Sequence, residues 1–281
     1  PTLPHTPASG SPIERRSIGD YDRRMSKFEN LQDIAFFPDM YVVVRLDAHR
    51  LASHWSSFPD AEYPLGAAVA AGMRTAAAAI LTSGIRALFA FIHGDEISVL
   101  IDPKELANGR KKARLISGIA SAASVGLCTA LGRGALFHAK VSELPTIDHL
   151  VEYLFWQRLV ARRNTISRHL SIALTARQES KSEIDRLLMK ATEEERIATL
   201  ARYDIHFESL PPLERLGAFL WWSPCPPPSS IRLEGQPYGI AECLDLPNDD
   251  LFELGIRAIA NGTSISTEAE APIFALPFPL R

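Results

Sequence analysis

The chain has 281 residues, 46% of them hydrophobic and 22% charged, which suits one large globular domain or two small ones. Its formal net charge of −3 excludes a polycation, so any contact with nucleic acid has to come from a local basic patch. Three widely spaced cysteines, Cys128, Cys225 and Cys243, form no Cys-x-x-Cys pair. That argues against a zinc knuckle or a disulfide framework and for reduced thiols in a cytoplasmic protein.

Residues 1–17 begin PTLPHTPASGSP, a Pro- and Ser-rich stretch without an apolar signal, and read as a disordered leader. IGDYDRRMSKFENLQ, Ile18 to Gln32, reads as a charged helix stopped by Pro38. The β-branched run of Val42, Val43 and Val44 predicts a strand over Tyr41 to Leu46. Ala-rich Leu65 to Leu81 is expected to be helical, with Ser83-Gly84 as its stop. ALFAFI, HGDE and ISVLID then read as strand, turn and strand, with Gly94-Asp95 as the punctuation.

Gly109 to Ala130 reads as a second long helix that starts basic (GRKKAR) and turns small and apolar. Its Leu115 to Leu131 stretch carries no charge, yet it falls short of the roughly 20 apolar residues of a membrane span. A helix packed on a sheet is the expectation, with no membrane partner. Ala135 to Val141 reads as a strand, and Thr146 to Leu174 as a third long helix behind Pro145. Short helices and a final apolar piece fill Lys181 to Trp222. SPCPPPSS follows as a linker or irregular loop, because prolines remove backbone donors. The remaining residues, to 281, show no usable periodicity.

The order strand, helix, strand, strand, helix, strand matches the split βαβ pattern, an α+β fold with an antiparallel sheet and both helices on one face. Expected boundaries are 18–222 for the main domain with its helical extension and 223–281 for a Pro-rich loop and C-terminal segment. In that topology Asp47, at the end of the first strand, and Asp95, in the hairpin turn, reach one edge of the sheet, with Glu96 alongside. Carboxylates brought together there repel unless a cation neutralises them, and hard divalent ions such as Mg²⁺ take carboxylate and carbonyl oxygens. The amides of Ala48 to Leu51 could cradle a triphosphate if the chain turns there. The same residues also read as an ordinary strand terminator and an ordinary hairpin turn. P-loop, zincin and nucleophile-elbow signatures are absent, and the eight histidines are scattered.

Seven segments occur in one order: IGDYDRRMSKFEN, VVVRLDAHR, HGDEISVL, GRKKARLISGIASAAS, FHAKVSELP, YLFWQRLVARRN and LPPLERLGAFLWW. Together, over about Ile18 to Trp222, they resemble the tRNA-histidine guanylyltransferase family and its relatives, the 3′-to-5′ nucleotide polymerases. The resemblance implies a polymerase-like palm, a homotetramer, and Mg²⁺-dependent transfer of nucleotides from ATP or GTP to the 5′ end of tRNA. It implies Asp47, Asp95 and Glu96 as catalytic residues, with two Mg²⁺ ions on Asp47, the Ala48 carbonyl and Asp95. Nucleotide contacts would come from Ala48, His49, Arg50, Leu51, Gly94, Arg110, Arg114 and Asn164, and RNA contacts from Arg158, Arg162 and Arg163. A solvated helix face is the other reading of those three arginines.

Several positions depart from the family pattern. Its Gly-Arg after the first Asp is Ala48-His49, and the Ser before the second Asp is Gly94. Its Lys-Pro is Phe58-Pro59, its F-D-A-R is Phe137 to Lys140, and the Asp beyond its W-R-Q motif is Val160. These changes fall on nucleotide and RNA contacts more than on the acids. They leave two classes open: a 5′-end nucleotidyltransferase, for tRNA repair or histidine-tRNA guanylylation, and a nucleotide- or RNA-binding relative without transfer activity.

Overall fold

β1 (Tyr41–Ala48) explains the layering of the protein, because its alternate side chains enter two different cores. Val42, Val44, Leu46 and Ala48 face one side of the sheet, and Val43 faces the other. The computed structural model describes residues 34–49, 51, 67–105, 107–223, 231–232, 239–243, 249–261, 265–267 and 270–274. The expected leader, the Ile18–Gln32 helix, Arg50, the Phe58-Pro59 segment and SPCPPPSS beyond Ser223 lie outside the described residues.

β1 pairs antiparallel with β3 (Glu96–Ile101) on one side and β4 (Phe137–Leu144) on the other. β2 (Ala87–His93) completes the hairpin with β3. The sheet then continues through β5 (Ala218–Ser223), β7 (Gly239–Cys243) and the short β6 (Ile231–Arg232), in the order β4-β1-β3-β2-β5-β7-β6. The first four strands keep the expected split βαβ order. The final apolar piece of the sequence is β5, a full strand on β2, and β7 lengthens the sheet in a region where the sequence has no periodicity.

One face carries α1 (Ala67–Leu81) and α2 (Lys112–Leu131), the two helices expected together. α2 is long and apolar enough, by length and composition, to cross a membrane. Here Leu115, Ile119, Ala123 and Leu127 instead pack with α1 against the sheet. The two helices approach so closely that a Cβ on Gly126 would stand 2.8 Å from Ala76 Cα and 2.8 Å from the Thr75 carbonyl oxygen. The helix stops at Gly132, whose φ of 64° suits glycine and returns its N–H to the Cys128 carbonyl.

The opposite face carries α3 (Ile147–Ala176), with Leu150, Val151 and Leu154 on Val43, Phe89, Phe91 and Leu100. Thr146 caps it by accepting the His149 N–H. Beyond the sheet, the second half of α3 builds a separate core with α4 (Lys181–Met189) and α5 (Glu193–Ala201). α6 (Pro212–Leu216) leads into β5, and α7 (Asp249–Asn261) adds Phe252 and Ile256 to the α3 face. A hairpin of β8 (Ile265–Thr267) and β9 (Glu270–Phe274) follows.

Because backbone rather than a flexible side chain meets position 126, Gly126→Val has to push α1 and α2 apart. Overpacking of this kind costs roughly 1–3 kcal/mol. A lowered thermal midpoint, with Gly134→Ala in open space as the unaffected control, is the expected result.

Candidate active site

Antiparallel register places four titratable side chains in one row across the sheet. His138 of β4 stands opposite Asp47 of β1, Asp47 opposite Glu96 of β3, and Glu96 opposite His93 of β2. All four project to the α3 face, as Val43 does four residues before Asp47. Two residues back on the same face runs a second row, in which Arg45 stands between Lys140 and Ser98. An acidic row with a basic row directly behind it is therefore fixed by strand pairing.

The hairpin turn closes onto this edge. Ala48 N–H donates to the Asp95 carbonyl at 3.0 Å, tying the end of β1 to the turn. The acids sense one another. Burial raises the Glu96 carboxyl above the ordinary range; Arg45 and Lys140 pull it down, and the charges of Asp47 and Asp95 push it up. One Glu96 oxygen, Oε2, is buried without a hydrogen-bond partner. His93 is almost wholly buried and held neutral, its pKa lowered to about 4 by burial and by the nearby Arg168 charge. At the other end of the row, His138 Nε2 lies 2.9 Å from His49 Nδ1.

Asp47, Asp95 and Glu96 are thus brought together as expected. Among the described residues no three His, Cys, Asp or Glu side chains group as ligands for a metal ion. The set implied by the sequence, two aspartates and the Ala48 carbonyl, does not need a third side chain. It offers hard oxygen donors beside an unsatisfied buried carboxylate oxygen, which fits a hard divalent cation. Asp95 already carries one cation, since Arg168 Nη2 of α3 donates to its Oδ1 at 3.1 Å.

Other expected contacts are not brought there. The Ala48 and His49 amides cannot cradle a phosphate, because Ala48 donates to Asp95 and His49 to the Leu136 carbonyl at 2.8 Å. Leu51 is buried. Arg110 and Arg114 lie at the opposite end of the sheet within one chain. β3 runs away from the turn, so the residues that follow it sit by the start of β1. There Arg110 donates to the carbonyls of Pro103 and Phe37, and Arg114 is exposed on the first turn of α2.

The three arginines of α3 also separate. Arg158 pairs with Asp249 and lies 4.9 Å from the Phe252 ring centroid. Arg162 pairs with Glu193 at 2.7 Å and lies over Phe207 at 4.4 Å. This pair is packed against α5 and α7, because α3 is covered there by the C-terminal helices. Arg163 is exposed and lines a cavity of about 380 Å³ with Trp156, Val160 and Arg196. Asn164 is half-buried, one turn before Arg168 on the same side of the helix.

Sequence reading missed His93, and it weighed Arg168 only with the other arginines of this helix, as an RNA contact or part of a solvated face. His93 is the residue directly before Gly94-Asp95, and Arg168 is four positions after Asn164; both spacings were available as signals.

Replacing Arg158 and Arg162 together by Ala should lower the thermal midpoint, since each loses an ion pair and a cation–π contact worth roughly 0.5–1 kcal/mol. It should leave the salt dependence of tRNA binding unchanged. Arg163→Ala should reduce the salt slope by about one. A flattened slope in the double variant would return those two arginines to the RNA surface.

Residues 22–151 match the family model described as tRNAHis guanylyltransferase. No curated protein matches the chain. Among solved structures, it is similar to a bacterial tRNA(His) guanylyltransferase-like protein in complex with ATP, with 21% identity and a TM-score of 0.58 over 73% of this chain and 88% of that one. A GTP complex of a bacterial tRNA(His) guanylyltransferase-like protein gives 16% identity and a TM-score of 0.62, over 86% and 99% of the two chains. The tRNA(His) guanylyltransferase from Saccharomyces cerevisiae gives 17% and 0.61, over 69% and 90%. These structures share the fold, and the matched segment runs through β1, the hairpin and β4 to the start of α3. Residues 22–151 are thus similar to the tRNAHis guanylyltransferase family.

Proposed function

We propose that this protein is a metal-dependent nucleotidyltransferase that adds nucleotides to the 5′ end of tRNA, in the 3′-to-5′ direction, from ATP or GTP. The convergence of Asp47, Asp95 and Glu96 at one edge of the sheet carries the reading. The family-model match of residues 22–151 and the nucleotides named for the two bacterial neighbours support it.

Asp47, Asp95 and the Ala48 carbonyl are the groups that would hold Mg²⁺, two ions by the family resemblance. When bound, the metal would neutralise charge on the transferring phosphoryl group and its leaving pyrophosphate. The protein's own residues do the rest. Strand pairing fixes Asp47, and the turn held to β1 by the Ala48 N–H fixes Asp95, without a search for position. Arg45 and Lys140, one row behind, supply positive potential that favours both the ionised acids and an approaching polyphosphate. Buried Phe91, in the row of Arg45, and Leu100, one row farther back, close that face of the sheet behind the acids.

Incubation with Mg²⁺, labelled GTP or ATP and a 5′-truncated tRNA should yield RNA extended at its 5′ end. RNA binding with no transfer from any of the four nucleotides would instead identify a binding protein.

Asp47→Asn removes one charge from the repelling row while keeping size and hydrogen-bonding capacity. The apo protein should melt at the parent's temperature or above it. Transfer should fall by at least about 100-fold, more than the 10–100-fold that loss of an outer-shell group costs. Transfer near the parent's rate would sink the two-aspartate reading and leave Asp47 as a strand terminator.

A further inference from the structure

The acid row already contains a cation of the protein's own. Arg168 Nη2 donates to Asp95 Oδ1 at 3.1 Å, with 21% of the arginine side chain and 30% of the aspartate side chain exposed. The guanidinium lies across the turn at Gly94. A Cβ built on Gly94 would stand 3.4 Å from Nη2, 3.5 Å from Nη1 and 3.9 Å from Cζ, so the flat group rests over the position where a side chain would begin. Gly94 also has a φ of 55°, which few other residues adopt. The serine of the family pattern would be strained here by that φ, with its Cβ in van der Waals contact with the guanidinium. Gly94 and Arg168 therefore fit one another.

The helix that carries Arg168 is anchored on both sides of it. Thr165 Oγ1 donates to the Glu214 carbonyl at 2.7 Å, and His169 Nε2 pairs with Glu214 Oε2 at 2.9 Å. What can move at this point is the long side chain, not α3. Its charge is felt locally, since it helps to keep the buried His93 neutral.

Resting on the metal-dependent reading above, we propose that Arg168 is a counter-cation that competes with a divalent metal ion for Asp95. The metal is then held firmly only when a polyphosphate is present to accept the guanidinium. A guanidinium and a metal ion draw on the same carboxylate charge, so each weakens the other's hold on Asp95. A nucleotide triphosphate relieves the conflict twice: it brings oxygen ligands for the metal and a bidentate anionic partner for arginine. Metal and nucleotide affinities are then coupled, each raising the other by the same factor. Arg168 acts through Asp95 as a positioning residue.

The test uses Mn²⁺ as the probe, titrated without nucleotide into the full chain and followed by the paramagnetic signal of the free ion. Arg168→Gln should bind Mn²⁺ about tenfold more tightly than the parent, the loss of one competing charge-assisted pair. Arg168→Lys, which keeps the charge, should stay near the parent. Equal Mn²⁺ affinity in the parent and Arg168→Gln overturns the proposal. Should Arg168→Gln fail to fold, the parent itself supplies the answer through the Arg168 Nε–H resonance, identified by its loss in Arg168→Lys. It should stay in place with Mg²⁺ alone and shift with Mg²⁺ and ATP; no shift with Mg²⁺ and ATP equally overturns the proposal. Asp47→Asn separates the two readings: unchanged Mn²⁺ binding in that variant removes the metal site itself, whatever Arg168 does.

Discussion

The register between β1 and β3 is the constraint on which the candidate site depends. With Val43 opposite Leu100 and Asp47 opposite Glu96, the apolar members of the α3 face lie under the helix and the acids emerge at the sheet's edge. A slip of one residue would turn Asp47 toward the other face, among Leu46, Ala48 and the α1–α2 core. An unpaired carboxylate there would cost several kcal/mol. The hydrophobic pattern of β1 thus fixes the chemistry at its end. The same valines that make the core hold the acid row in place.

That row is an electrostatic arrangement as much as a geometric one. Asp47, Asp95 and Glu96 repel, and the fold offsets this with Arg45 and Lys140 one row behind and Arg168 from α3. None of the three cations lies on the turn that carries Asp95. Each is delivered by a different element, β1, β4 and α3, so the charge balance exists only when the sheet and its covering helix are assembled. His93, neutral and buried under α3, and the His49–His138 pair close the two ends of the row without adding a fixed charge at His93.

The helices divide the remaining work. α1 and α2 support the sheet through small residues that let their backbones touch, a contact whose tightness is set by Gly126. α3 does two things along its length. Its first half covers the sheet with Leu150 and Leu154, and its second half leaves the sheet to nucleate the core with α4 and α5. Arg168 sits within that second half, braced by Glu214 of α6. The C-terminal helices therefore bear on the site through the helix that carries Arg168.

Much of this was determined by local sequence. The valine run, the alanine-rich helix and the Gly94-Asp95 turn each state their own structure, since propensity and turn chemistry are properties of neighbouring residues. Their order was enough to bring Asp47 to Asp95, because a split βαβ topology leaves one place for the hairpin. Pairings across long separations were not legible. β5 and β7 join the sheet through partners that carry no shared period in the sequence. Arg158 and Arg162, i and i+4 on a helix, read as a free basic face until Asp249 and Glu193 were brought against them. Arg110 and Arg114 read as neighbours of the phosphates until the direction of β3 carried them to the far end. The sequence by itself determined which acids meet, because local structure and strand order suffice for that. Which cations neutralise them was decided only by the tertiary structure, because a long charged side chain takes its partner from whatever element folds against it.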